Sequence, residues 1–162
     1  MDRRTHKIKV SAILLWLAMS VLFIGQTGCA PDERTYSHFE HVTNQVWHHD
    51  MPIRFMPTWN DSTIVRDMWL TVRHTQEYPY GNLPIVVDLI GDSGQVTRHR
   101  VHLEITDGQG NWLGQGFGTL FQCRAHVASG VTAEQAHRVV VWQAVDSCES
   151  LPGVSDVGIL LN

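Results

Sequence analysis

The chain has 162 residues, a formal charge of −4 at pH 7 and three cysteines. Setting aside residues 1–28 removes Arg3, Arg4, Lys7 and Lys9 against Asp2 alone, and the remainder holds eight arginines against fifteen carboxylates, a charge of −7, with no lysine. An acidic, lysine-free chain is poorly equipped to neutralise phosphates, which sets aside nucleic-acid binding and adhesion to anionic lipid through a basic patch. The length fits one domain able to bury a real core.

In chain order, four basic side chains in residues 2–9 precede an apolar run, residues 10–24, broken only by Ser11 and Ser20. This is the layout of a secretory signal. A membrane-spanning helix needs about 20 apolar residues, so the run is short for a permanent anchor. Gln26-Thr27-Gly28-Cys29 then resembles a bacterial lipobox, departing from it at Gln26, where a leucine is usual. Cys29 is therefore expected to carry a diacylglycerol and an N-acyl chain, which together exceed the two-chain threshold for stable anchoring. No cofactor beyond that covalent lipid is expected. The competing reading cuts at an ordinary small-x-small site, Gly28 and Ala30, but Pro31 would then follow the cut. Ala30, with no aspartate beside Cys29, matches the outer-membrane sorting pattern of enterobacteria. The resulting organisation is a signal peptide over 1–28, a polar tether over 29–37 and a domain over 38–162.

Beyond the tether, patterns of period two recur. Ile64, Met68, Leu70 and Val72 alternate with Asp67, Thr71 and Arg73, and Leu83, Ile85, Val87 and Leu89 alternate less strictly with Pro84, Val86 and Asp88. Residues 98–105 set His99, Val101, Leu103 and Ile105 against Arg98, Arg100, His102 and Glu104. Residues 121–127, 137–145 and 154–161 add three more strands, with turn signals at Asp92-Ser93-Gly94, Asp107-Gly108 and the glycines up to Gly118. Only residues 133–136 hint at helix, one turn at most. Seven or eight short strands predict a mainly β protein, a single antiparallel β-sandwich, with jelly-roll and immunoglobulin-like topologies both open.

With Cys29 assigned to lipid, Cys123 and Cys148 remain as one pair in an oxidising compartment. A bridge closing that loop would contribute about 3.5 kcal/mol on the chain-entropy model; the alternative is two buried reduced thiols. Gly91-Asp92-Ser93-Gly94 copies four letters of a trypsin-like nucleophile loop, but Gln95 follows and the chain is too short for the two barrels that build a triad, so a tight turn is expected. Gly108-Gln109-Gly110 begins like a dinucleotide fingerprint, yet Leu113 stands at the third glycine. His38, His41, His48 and His49, with Asp50, have the chemistry of zinc or copper ligands, but neighbours alternate across a strand, and solvated loop histidines are the preferred reading, with no metal site. Arg98 and Arg100 are expected to form a solvated face with Glu104. Tyr78 and Tyr80 flank Pro79, a rigid aromatic segment suited to a partner's groove or to sugar rings, unless one tyrosine packs inward.

The segment Tyr78-Pro79-Tyr80-Gly81-Asn82-Leu83 resembles the GldH family of gliding-motility lipoproteins of Bacteroidetes. The likeness extends to an upstream strand ending in arginine, matched by residues 70–73, and to a G-x-W-x-G-x-G segment, matched by Gly110-Asn111-Trp112-Leu113-Gly114-Gln115-Gly116. It also includes the closing Leu151-Pro152-Gly153-Val154-Ser155-Asp156-Val157-Gly158-Ile159. Two departures stand out: Val145-Asp146 in place of a Met-Arg pair, and Gly118-Thr119 without a following acidic residue. If the Met-Arg pair makes a partner contact, this chain has lost it. In that comparison Trp112 is expected in the core. The resemblance implies a non-enzymatic outer-membrane lipoprotein, with other envelope proteins of the gliding and type IX secretion machinery as partners. The reading from another class is a lipid-anchored carbohydrate-binding sandwich using Tyr78, Tyr80, Trp47 or Trp59.

Overall fold

Strand alternation places one row of apolar side chains on a single face. In the computed structural model, which describes residues 35–162, those rows define a core shared by two sheets. Strand β4 (Arg66–His74) buries Met68, Leu70 and Val72, and β5 (Asn82–Ile90) buries Leu83, Ile85, Val87 and Leu89. Strand β6 (Val96–Glu104) contributes Val101 and Leu103, β9 (Arg138–Gln143) contributes Val139 and Val141, and β11 (Val154–Leu161) contributes Val157, Ile159 and Leu161. Strand β8 (Leu120–Val131) closes the set.

Shorter strands complete the sheets: β1 (Tyr36–His41), β2 (Val46–His48), β3 (Ile53–Phe55), β7 (Gln115–Phe117) and β10 (Ser150–Pro152). One sheet has the order β1-β11-β4-β8-β7, the other β3-β9-β5-β6, and β2 with β10 forms a separate ribbon. All pairings are antiparallel. Numbering β1, β3, β4, β5, β6, β8, β9 and β11 as one to eight turns these orders into 1-8-3-6 and 2-7-4-5. That is a jelly roll, a long hairpin wrapped on itself, which decides between the two topologies left open by the sequence.

Each long alternating run becomes a strand, and eleven strands form among the described residues where seven or eight were expected. The extra ones are three residues long, except β1. Strand β1 takes in Tyr36 and Ser37, which the sequence assigns to the tether, because β11 offers an open edge that pairs Tyr36 with Leu161 and Ser37 with Leu160. Residues 132–136 make one turn, with Gln135 and Ala136 donating to the Thr132 carbonyl. Gly91 to Gln95 close the β5–β6 hairpin, where Gly94 has φ +82, and the Ser93 hydroxyl is bonded to Gln95. The signal peptide and Cys29 lie outside the described residues.

On the outer side of the second sheet, Arg98, Arg100 and Glu104 are exposed on one face of β6 as expected, and Arg98 also has a carboxylate partner that the sequence did not name. Its register partner is Asp88 on β5, and it donates to both carboxylate oxygens, at 2.7 and 2.8 Å. The Asp88 side chain is 9% exposed, and Arg98 holds its carboxyl below the usual value of 3.8 chiefly by these hydrogen bonds. Arg98→Ala leaves a nearly buried carboxylate without its cation and is expected to lower the unfolding midpoint, whereas exposed Arg100→Ala leaves it nearly unchanged. Urea unfolding near neutral pH checks the contrast. The lowered Asp88 value predicts its sign with pH: the Arg98 contribution is present above pH 3.8 and fades as pH falls through the lower folded value.

Candidate functional site

His74 ends β4 in the next inward position after Met68, Leu70 and Val72, and it is fully buried. Its register partners are Phe121 on β8 and Val154 on β11. The loop after β4 folds Tyr78 back over it, and the glycine-rich segment before β7 brings Trp112 from the other side. Ring centroids lie 5.7 Å from Tyr78, 4.9 Å from Trp112 and 5.6 Å from Phe121, the last stacked. The three stretches that carry the family resemblance thus meet around one buried imidazole.

Hydrogen bonding sets the state of that ring. Nδ1 lies 3.0 Å from the Thr75 carbonyl, which can only accept, so the proton is assigned to Nδ1. Nε2 is left as an acceptor 3.8 Å from the Cys123 sulfur. Burial lowers the His74 pKa, with the Thr75 carbonyl partly offsetting it, and burial raises that of the Cys123 thiol. The result is a neutral imidazole beside a neutral thiol. Nucleophilic cysteine chemistry needs the thiolate with an imidazolium, the opposite of what burial favours here.

Tight backbone contacts hold the cluster. Gly153 has φ +82, and a Cβ there would lie 2.3 Å from the Tyr78 nitrogen. Its carbonyl accepts from Thr75 and its N–H donates to Gln45, both at 2.8 Å. On the other side, the Gly81 carbonyl accepts from Ile105 and Thr106 at 2.9 and 3.0 Å. Tyr78 is 3% exposed, its hydroxyl donates to the Asn82 carbonyl at 2.8 Å, and burial raises its pKa strongly. Tyr80 instead faces solvent at 42% exposure, with its ring edge toward Tyr78. Of the candidate contact residues, Tyr78 is therefore structural, and Pro79 and Tyr80 are accessible.

Residues 144–149 form a neighbouring loop braced by buried Gln143, which donates to the Cys148 carbonyl at 2.8 Å and accepts from Val145 N–H at 2.9 Å. With His49 and Gln143 the loop lines a hollow of about 650 Å³ that includes Val145 and Asp146, the departure noted above. Cys123 and Cys148 are both free thiols in this structure, so the expected bridge is not formed. Cys123 points inward at His74, while Cys148 lies on this loop near Tyr80, whose pKa the Cys148 charge raises.

The histidines of 38–50 also separate. His38 pairs with Glu40, His41 with Asp156 and His48 with Ser150. Among the described residues no three His, Cys, Asp or Glu side chains form a metal-binding group. The four aromatics of the carbohydrate reading do not make a platform. Trp47 is buried and donates to the Met51 carbonyl, half-buried Trp59 donates to the Ala136 carbonyl beneath the Arg66 guanidinium, and only Tyr80 is exposed. Trp112 packs against the core as expected. His74 and Gln143 escaped sequence reasoning, although both continue inward rows of period two.

A sequence model of the GldH lipoprotein family matches residues 34–161. The chain is 28% identical over 134 residues to "Gliding motility lipoprotein GldH homolog" of Christiangramia forsetii, covering 78% of this chain and 82% of that protein. It is 27% identical over 158 residues to "Gliding motility lipoprotein GldH" of Flavobacterium johnsoniae, covering 94% and 95%. Among solved structures, the infectious bursal disease virus VP2 subviral particle matches with a TM-score of 0.26 and 12% identity, over 85% of this chain and 37% of that one, too slight a likeness for any conclusion.

Gly153→Ala combines a positive φ with overlap on the Tyr78 backbone and is expected to cost about 3 kcal/mol or more, while Gly108→Ala, with open space around it, stays near neutral. Thermal unfolding of the two variants measures the difference. Because the folded-state pKa of His74 is lowered, its neutral-ring contribution is complete above the ordinary value of 6.5 and is lost as pH falls below it toward the folded value. Stability should therefore decline below pH 6.5, with a shallower decline in His74→Phe, as read from denaturant midpoints.

Proposed function

The chain belongs to the GldH lipoprotein family, and on that premise we propose that it is a non-enzymatic, protein-binding component of the gliding machinery, and through it of type IX secretion. In this reading Cys29 carries the lipid that anchors the domain to the outer membrane. The domain itself needs no cofactor.

The observation that supports a binding role is the placement of the motif cluster. The chain enters the first sheet at Tyr36, in register with Leu161 and, through it, with Met68. The His74 cluster sits at the opposite end of β4, about 20 Å away at the usual rise per residue. The domain thus carries an accessible Pro79-Tyr80 segment at the end of the sheet opposite the point where the chain enters it, which supports a partner contact there. The neutral His74 and Cys123 pair supports a role without catalysis.

Two measurements test this. Cys29→Ser is expected to release the protein from the membrane fraction and abolish labelling with radioactive palmitate; membrane retention with undiminished labelling would refute the anchor. Crosslinking and affinity purification from the native envelope should recover gliding or secretion components, and recovery of none would remove the proposed role.

A further inference from the structure

The outward side of the five-stranded sheet carries two arginines in a setting that the fold alone does not require. Phe39 on β1 stands opposite Gly158 on β11, and a Cβ on Gly158 would lie 2.5 Å from the Phe39 ring. The missing side chain lets the ring lie across β11. Arg73, on β4 at the other side of β11, reaches over it and sets its guanidinium carbon 3.9 Å from the ring centroid. On β8, Arg124 lies 4.1 Å over the ring of Trp69, whose edge meets His126. Thr71 is the register partner of both Arg124 and Gly158, and it is only 6% exposed despite pointing outward.

Neither guanidinium has a carboxylate within ion-pair distance among the described residues, in contrast to Arg98. Arg73 donates to the Gln122 side chain at 3.0 Å. Asp156 faces it by register, but its oxygens serve His41 at 3.3 Å and Ser155 at 2.7 Å. Among the described arginines only Arg98 is paired with a carboxylate, so what sets Arg73 and Arg124 apart is that both lie over aromatic rings on one outward sheet face. Contact with a ring restrains each guanidinium, which reduces the entropy lost on binding, and the terminal N–H groups beyond the Gln122 bond can take a carboxylate. A depression of about 340 Å³, lined by Arg73, Leu120, Phe121 and Gln122, opens beside the first of them.

We propose that this face docks an acidic segment of a partner protein, with its carboxylates taken by Arg73 and Arg124. A short acidic segment can meet two guanidiniums while avoiding the domain's surplus of carboxylates; an extended anionic lipid surface would meet that surplus as well. Sugar stacking is disfavoured because the faces of Phe39 and Trp69 are already covered by the guanidiniums. The inference rests on the protein-binding role above and names the chemistry of the partner.

The test uses the full mature protein in detergent micelles with poly-L-glutamate as probe, followed by thermophoresis. Wild type should bind, more weakly as salt rises, and Arg73→Gln/Arg124→Gln should bind about tenfold more weakly or worse, with Arg100→Gln unchanged. Arg73→Lys/Arg124→Lys, which keeps the charges and loses the planar forks, should fall between them, and circular dichroism verifies that each variant is folded. Equal binding by wild type and the glutamine pair, an equal loss in Arg100→Gln, or tighter binding to phosphatidylglycerol vesicles than to polyglutamate overturns the proposal. In the envelope crosslinking experiment, loss of the recovered components in the glutamine pair supports it. Recovery by both proteins overturns this inference alone, whereas no recovery by wild type removes the functional reading and the partner with it.

Discussion

Strand β11, formed from the last residues of the chain, holds the first sheet together. It lies between β1 and β4, so the strand at the start of the domain and the strand at the middle of the sheet both hydrogen-bond to it. Val157, Ile159 and Leu161 send one row of side chains into the core beside Val72, Leu70 and Met68. Pairings such as Tyr36 with Leu161 join opposite ends of the domain, and they form only after most of the loop-closure entropy has been lost. Without β11, β1 has no hydrogen-bonding partner and β4 loses one of its two neighbours.

The same strand sets both surfaces on which function is proposed. Just before it, Gly153 gives the Tyr78 loop room to sit directly on its backbone, which draws three separated stretches around His74. In its middle, Gly158 lets Phe39 lie flat beneath the Arg73 guanidinium. In each case the absence of a side chain permits a close approach that any Cβ would block. Neighbouring Arg73 and His74 point to opposite sides of β4, so the end cluster and the outer face adjoin one another. One arginine belongs to a surface and the next residue to the core, although the two are adjacent in sequence.

The titratable groups divide along similar lines. Burial in an aromatic cage keeps His74 neutral, and the thiol beside it has its pKa raised for the same reason, so the most enclosed titratable pair is held away from ionic chemistry. Charge is resolved at the periphery instead. Asp88 meets Arg98 across two strands, while Arg73 and Arg124 meet aromatic faces and keep their terminal N–H groups. Identical side chains on two outer sheet faces therefore have different roles: Arg98 bonds the carboxylate opposite it, whereas the carboxylate opposite Arg73 serves His41 and Ser155 and the guanidinium lies over Phe39.

Much of the fold was legible from one dimension. Period-two alternation marks every long strand, because a strand with one buried face must repeat every second residue, and the glycine and aspartate turns between them follow from local backbone requirements. Short strands left no such signal: Ile53–Phe55 and Ser150–Pro152 are strands because neighbours supply hydrogen bonds, and β1 has only Tyr36 and Phe39 as apolar residues, pointing to opposite sides. The sequence by itself thus determined an antiparallel sandwich, its family and the residues of its motifs, all of which depend on local pattern or on ordered similarity. Only the tertiary structure decided the jelly-roll order, the burial of Cys123 beside His74, the inward Tyr78 and outward Tyr80, and the pairing of Arg98 with Asp88. Each of these depends on which distant strand lies alongside, and register between distant strands is a property of the closed sheet that no local stretch of residues contains.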